Sequence, residues 1–241
     1  MRRYETAGCA VSEILLPRPG VDLQKWAVVA CDQFTSQPEY WRDVERFVGD
    51  APSTLKMIFP EVYLDEPGNQ ERITSIRAAM RQAFESGVLV PRDGLVYLER
   101  EVAQGKTRRG VMLCLDLEQY DYSKGSRSLI RATEGTIIER LPPRIAIREG
   151  ATLELPHIMV LIDDPDDVVL GPLATRKGEL EPVYQLDLMQ DSGHLEGYLV
   201  SDLELEKTTM AALSRLGEAE AFRAKYGLDG ESAVLLFAMG D

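Results

Sequence analysis

One stretch decides the fold of this chain: Leu95-Val-Tyr-Leu-Glu-Arg-Glu-Val-Ala-Gln-Gly-Lys-Thr-Arg-Arg-Gly-Val-Met-Leu-Cys-Leu-Asp-Leu117. Its two ends, residues 95–102 and 109–117, are rich in residues that favour strands. Gln104-Gly105-Lys106 lies between them and suits a tight reversal of the chain. The stretch therefore predicts a β-hairpin.

A second hairpin is predicted by residues 183–188 and 195–200, which bracket Asp191-Ser192-Gly193. Three helices are predicted between the strand-rich regions. The first spans Gln37–Val48 and has Pro38 in its first turn, and the third runs from Ser201, with Glu204 as its capping-box partner, to Tyr226. The second spans Gln70–Glu85 and carries one apolar face, formed by Ile73, Ile76, Met80 and Phe84. We expect an α+β fold with a mixed, mostly antiparallel sheet and a few packing helices. Residues 1–241 form one predicted unit, and any subdivision is expected near residues 120–130.

Four further strand predictions depend on short apolar runs. Trp26–Cys31 and residues 232–239 read as buried strands, and residues 136–139 and 145–148 read as strands that bend at Pro142-Pro143. An apolar strand that ends in Gly240-Asp241 normally continues into a loop or a helix. We therefore expect the chain to be part of a longer protein.

Composition excludes several classes of protein. The net charge of −13 and the pI near 4.7 argue against a nucleic-acid surface. No apolar run approaches the roughly 20 residues of a spanning helix, and no signal peptide is evident, so we expect a cytoplasmic protein with no membrane contact. The three cysteines and two histidines are scattered, and their spacing predicts no metal site.

The charge is unevenly distributed, because six basic residues and two acidic ones lie between Lys124 and Arg148. We call these six the arginine island: Lys124, Arg127, Arg131, Arg140, Arg144 and Arg148. A cationic region in an acidic protein suits a small anionic ligand such as a phosphate or a carboxylate. The other interpretation is a solvated face whose arginines pair with neighbouring acids.

The residues inside the island suit phosphoryl transfer. Glu134 can serve as a general base, Thr133 and Thr136 can bind a ligand through their hydroxyls, and Arg131, Arg140 and Arg144 can hold phosphate. Asp32 stands beside a predicted helix N-terminus, where it either positions a ligand or caps the helix. No Walker loop, dinucleotide fingerprint or nucleophile elbow is present. The acidic turn Asp163–Asp167 is interpreted as surface rather than as a metal site.

Three segments together resemble domain-of-unknown-function family 1015: Trp26 to Trp41, Ile130 to Arg144, and Leu235 to Asp241. In longer members the last of these leads into an Asp-Gly-x-His box similar to that of ParB-like and sulfiredoxin-like folds. The resemblance makes Asp241 the first residue of that box. Some proteins with those folds bind nucleotides and phosphorylate small molecules such as free serine. The commoner His-Glu pair of the middle segment is Thr133-Glu134 here, so only the glutamate's role carries over.

The resemblance and the residues together predict a nucleotide-dependent phosphotransferase that acts on a small hydroxyl-bearing metabolite. Glu134, Asp241 and Asp32 are its expected catalytic residues, and ATP or another nucleotide with Mg²⁺ is its expected cofactor. A non-catalytic module that binds a nucleotide or a metabolite and regulates a partner is the competing hypothesis.

Overall fold

The computed structural model describes residues 1–30, 34, 37–64, 66–102, 105–121, 123, 128–133, 135, 137–155, 157–218, 220–227 and 236–239, with Arg140 and residues 236–239 given by their backbone alone. The described helices are α1 Leu23–Trp26, α2 Pro38–Val48, α3 Asn69–Glu85, α4 Leu141–Arg148, α5 Gly171–Thr175, α6 Leu203–Arg215 and α7 Glu220–Tyr226. The described strands are β1 Arg2–Tyr4, β2 Cys9–Val11, β3 Glu13–Pro17, β4 Leu89–Asp93, β5 Leu95–Val102, β6 Lys106–Met112, β7 Cys114–Leu115, β8 Ile130–Ala132, β9 Met159–Leu161, β10 Glu181–Asp187, β11 His194–Val200 and β12 Leu236–Met239. The fold is α+β, as predicted.

The largest sheet has the strand order β10-β11-β5-β6, and all of its pairings are antiparallel. Both predicted hairpins are confirmed, because β5 pairs with β6 and β10 pairs with β11. The sheet carries an apolar row at one end, where Leu95, Tyr97 and Val200 are fully buried. It carries polar side chains towards its other end.

A smaller mixed sheet has the order β8-β12-β9, with β12 in the centre. β12 runs parallel to β8 and antiparallel to β9. The fully buried Ile130 of β8 belongs to the same hydrophobic cluster as Leu95 and Leu213, so the two sheets share one core. Two further antiparallel groups, β1-β2-β7 and β3-β4, complete the described strands.

Helix α3 follows the predicted boundaries closely. Ile73, Ile76 and Met80 are buried as expected, and Gly87 follows the helix with φ of 67°. The prediction that Phe84 belongs to the same apolar face is wrong, because this residue is 55% exposed. The last turn of α3 therefore extends beyond the core.

The apolar run that begins at Trp26 is not a strand among its described residues. Asp22 caps α1 by accepting hydrogen bonds from the backbone N–H groups of Gln24 and Lys25, so Trp26 ends a short helix instead. Trp26 and Val29 are both buried, but they belong to two different hydrophobic clusters. The run is apolar because it joins two clusters.

The predicted strands around Pro142 and Pro143 are also wrong. A 3₁₀ turn spans Ile138–Arg140, and α4 follows it directly. The two prolines lie in the first turn of α4, where backbone N–H groups have no partner within the helix, so proline removes no helical hydrogen bond there.

The predicted long C-terminal helix begins one residue later than expected. Asp202 is its N-cap, in place of Ser201, and accepts from the backbone N–H groups of Glu204 and Leu205. The helix is divided into α6 and α7 around a 3₁₀ turn at Leu216–Glu218, and α7 is followed by Gly227 with φ of 64°. Across the parts of the chain that the structure describes, no helix combines the length and the apolar character that a membrane crossing requires.

Candidate functional site

The mixed sheet brings three chain segments to one edge. Ala132 at the end of β8 pairs with Ala238, and Met159 at the start of β9 pairs with Met239. The carboxyl ends of β8 and β12 and the amino end of β9 therefore lie together. In sequence, Thr133 follows β8 directly and His157 precedes β9 by two positions. We call this the β8–β12 edge.

Arg131 lies in the middle of β8, in register with Phe237. Its Nε donates a hydrogen bond to the carbonyl oxygen of Ser128 at 3.2 Å. Its Nη2 is buried and has no hydrogen-bond partner among the residues that the structure describes. A buried N–H without an acceptor costs about 1–3 kcal/mol, and more for a charged group. Arg131 thus carries a buried cationic donor without a described acceptor, and its bond to Ser128 joins the guanidinium to the residue range that precedes β8.

Two other members of the arginine island bind carboxylates of the same chain. The Nη2 of Arg144 lies 2.9 Å from an oxygen of Glu61, and both side chains are largely covered. The Nη2 of Arg148 lies 2.7 Å from an oxygen of Glu154, where both side chains are more than half exposed. These pairs fasten α4 to its surroundings. Arg144 and Arg148 therefore pair with acids of the same chain, and they do so from a helix rather than from a strand.

Most of the remaining predicted site residues lie outside the residues that the structure describes. Asp32, Glu134, Thr136 and Asp241 lie outside the described residues, as do Lys124 and Arg127, and Arg140 is described by its backbone alone. Thr133 is described, and it directly follows β8. Within the predicted set, the structure thus places Arg131 in the middle of β8, Thr133 directly after β8, and Arg144 on α4 with Glu61.

His157 is a residue of this edge that sequence reasoning passed over. Protein atoms around the imidazole lower the pKa of His157 by desolvation, and the nearby Glu154 carboxylate opposes that shift. The side chain is nevertheless exposed. Its place before an apolar strand was visible in the sequence, but the strand pairing that brings it to the edge was not.

A cavity of about 430 Å³ adjoins the N-terminus of α2. Its described lining consists of Gln37, Pro38, Glu39 and Arg42. Gln37 is the N-cap of α2 but makes no capping hydrogen bond with its side chain. The cavity thus lies beside the residues that follow Asp32 in the sequence.

A second polar cluster lies on the largest sheet and was not predicted. Glu99 and Glu196 are directly paired across β5 and β11, and the Nζ of Lys177 lies 2.7 Å from the first and 3.0 Å from the second. Tyr97 donates to Glu99 and Tyr198 donates to Glu196. The sequence pattern that could have indicated this cluster is Tyr-x-Glu in β5 together with Glu-x-Tyr in β11.

The pKa values of the two glutamates in this cluster are shifted by their hydrogen-bond partners. Burial alone would raise the pKa of Glu99, but hydrogen bonds from Lys177 and Tyr97 outweigh it, and the pKa lies below its ordinary value. Hydrogen bonds from Tyr198 and then Lys177 lower the pKa of Glu196. Each carboxylate already has two internal donors. The cluster therefore binds the segment of Lys177 to the sheet.

The acidic turn is also occupied by internal contacts. Asp164 accepts from the backbone N–H groups of Val168 and Val169, each at 2.9 Å. Asp163 accepts from Tyr226 at 2.9 Å and pairs with Lys225. Across the described part of the chain, no group of three or more His, Cys, Asp or Glu residues is arranged to hold a metal ion.

These features define an α+β protein in which a small mixed sheet carries a partly buried arginine on one of its two parallel strands. The family model of DUF1015, described as a protein of unknown function, matches residues 15–241. The chain therefore belongs to the DUF1015 family. No curated protein and no solved structure matches it.

Proposed function

We propose that this protein is a nucleotide-dependent phosphotransferase that acts on a small hydroxyl-bearing metabolite. The observation that carries the proposal is the buried Nη2 of Arg131, which has no acceptor among the described residues. A phosphate oxygen is the acceptor that best satisfies a guanidinium in both charge and geometry.

The topology of the mixed sheet supports the choice of the other residues. Glu134 comes two positions after Ala132, and Asp241 comes two positions after Met239. Because β8 and β12 are parallel, the strands that these two residues follow in the sequence both end at the β8–β12 edge. The likeness of the final residues to the ParB-like and sulfiredoxin-like box supports the same assignment for Asp241.

The proposed roles follow from charge. Glu134 accepts the proton of the substrate hydroxyl, whose oxygen attacks the terminal phosphorus of the nucleotide. The bond from that phosphorus to the bridging oxygen breaks, and the shortened nucleotide leaves. Arg131 offsets negative charge on the transferred group.

The fit of the expected ligands differs. The described residues fit a phosphate through Arg131. Mg²⁺, which neutralises phosphate charge when it is bound with a nucleotide, would depend on Asp32 and Asp241, and both lie outside the described residues. The cavity at α2 is the described space beside the sequence neighbours of Asp32.

Isothermal titration of the full-length protein with ATP, ADP and CTP tests the ligand. We expect binding by the wild type and at least tenfold weaker binding by Arg131→Ala, the size of one charge-assisted hydrogen bond. Arg148→Ala is the matched control, because that arginine pairs with Glu154 at the surface. Absence of binding to all three nucleotides would contradict the proposal.

Turnover separates an enzyme from a binding module. Nucleotide consumption would be followed with a panel of amino acids and polyols, for the wild type and Glu134→Gln. We expect phosphorylation of a hydroxyl compound that the substitution abolishes while nucleotide binding persists. Binding without turnover by the wild type would instead identify a regulatory nucleotide-binding module.

A further inference from the structure

His194 lies at the open end of the largest sheet, surrounded by acidic side chains. It is the first residue of β11, and it pairs across the sheet with Asp187 of β10 and Glu101 of β5. Cross-strand partners share one face of a sheet, so all three side chains lie on the same side. Glu196 lies on that side too, two positions further along β11.

The imidazole bridges two of these carboxylates. Its Nδ1 lies 2.6 Å from Asp187 Oδ1, and its Nε2 lies 3.6 Å from Glu196 Oε1. An ionised carboxylate only accepts, so Nδ1 carries a proton in either charge state. When Nε2 is protonated as well, the cation faces an acid on each side. When it is not, a lone pair faces the Glu196 oxygen, and the amide of Gln185, 3.5 Å from Nε2, is its available donor.

The charges around His194 favour the protonated form. β10 contributes Asp187, β5 contributes Glu99 and Glu101, and β11 contributes Glu196; the opposing cation is Lys177, which bridges Glu99 and Glu196. The hydrogen bond to Asp187, which outweighs partial burial, raises the pKa of His194 above its ordinary value. A proton is therefore held here more tightly than in an unfolded chain.

The turn next to His194 is packed against another part of the fold. The backbone N–H of Leu188 donates to the carbonyl oxygen of Gly193 at 2.8 Å and closes the turn. Leu188 and Met189 pack against the hydrophobic cluster of α2, where the Tyr40 hydroxyl lies 3.3 Å from the Met189 sulfur. The turn beside His194 is thus in direct contact with α2.

We infer that His194 is a proton-operated clamp that couples the β10–β11 turn to α2. In its charged form it ties Asp187 to Glu196 and holds Met189 against Tyr40. Loss of the proton weakens both ends of the bridge and releases the turn from α2. This inference does not depend on the proposed phosphotransferase activity.

The chain's two histidines make the test direct, because each gives one imidazole signal in a ¹³C-edited NMR titration. We expect the His194 signal to titrate above the ordinary value near 6.5 and the His157 signal to titrate below it. The methyl signal of Met189 should shift with the midpoint of His194. The methyl signal of Met80, a buried residue of α3, should not follow it.

Two variants complete the test. Asp187→Asn should lower the midpoint of His194 and of the Met189 shift together, and His194→Asn should abolish the Met189 shift. His157→Asn is the control and should leave both unchanged. The clamp is refuted if the Met189 signal stays constant while His194 titrates, or if its shift persists in His194→Asn. A His194 midpoint at or below 6.5 would also refute it. Because Asp187→Asn keeps the side-chain shape, it serves even if His194→Asn fails to fold.

Discussion

Arg2 and Glu206 form a two-point ion pair between the first strand and helix α6: Nε and Nη2 of the arginine each lie 2.7 Å from a different oxygen of the glutamate. Glu206 is 1% exposed, and Tyr4 donates a third hydrogen bond to it at 2.7 Å. The opposite edge of the guanidinium binds Asp93. One arginine therefore joins β1, β4 and α6.

Substitution of Arg2 by alanine should destabilise the protein by about 3 kcal/mol, because it leaves a buried carboxylate without its counter-charge. Urea unfolding at pH 7 measures the change. Lys207→Ala, which breaks an exposed pair with Glu204, is the control and should have a much smaller effect on the free energy of unfolding, because water screens that pair. Equal losses in the two variants would contradict a structural role for the buried pair.

Gly193→Ala should be among the most damaging single changes to the largest sheet. Gly193 has φ of 102°, and an added Cβ would lie 1.8 Å from the carbonyl oxygen of Glu101. We expect a loss of about 3 kcal/mol or more, measured by thermal or urea unfolding. Gly178→Ala is the matched control, because nothing lies within 4 Å of its added Cβ. A Gly193 variant as stable as the Gly178 variant would show that the turn adapts freely.

Lys177→Met should change the dependence of stability on pH. The folded state lowers the pKa of both Glu99 and Glu196, so their contribution to stability is present above about pH 4.5 and is lost as the pH falls further. Without Lys177 two carboxylates face each other, and we expect a loss of about 1–2 kcal/mol at pH 7.

The difference in the free energy of unfolding between the Lys177 variant and the wild type should become smaller as Glu99 and Glu196 are protonated. Unfolding by urea at pH 7, 5 and 3.5 measures it. Lys207→Met provides the comparison at an exposed pair. A gap that is constant over this range would mean that Lys177 acts through packing alone.

Met80 and Phe84 lie one turn apart on α3 but differ in burial, at 2% and 55% exposed. Met80→Ala should cost about 2–4 kcal/mol, because it leaves a cavity in the second hydrophobic cluster. Phe84→Ala should cost less than about 1 kcal/mol. The two midpoints of urea unfolding decide the matter, and a larger loss for Phe84 would place the helix differently.

The hairpins were predictable because their pairings are local. Alternating side chains in β5, β6, β10 and β11 and the turns between them lie within short stretches of sequence. The mixed sheet was not predictable in this way, since β8 pairs with β12 across a long separation. The prolines of α4 were misread because a pair of prolines breaks a strand but suits the first turn of a helix equally well.

In the candidate site, too, local features could be predicted from the sequence, whereas contacts between distant segments could not. Local charge identified Arg131 as a candidate, and the structure gives it an unpaired donor. The same charge pattern included Arg144, whose partner Glu61 lies before α3 and could not be inferred from sequence spacing. The position of His157 beside the β8–β12 edge follows from the pairing of β9 with β12, which sequence spacing does not reveal.

The central position of β12 also sets an order of assembly. During synthesis, β8 and β9 leave the ribosome well before the strand that must be inserted between them. Until then each has an unsatisfied inner edge, and such edges are prone to pair with other nascent chains. Truncations that remove β12 should therefore yield insoluble material, and the need for chaperones should fall once β12 has been translated.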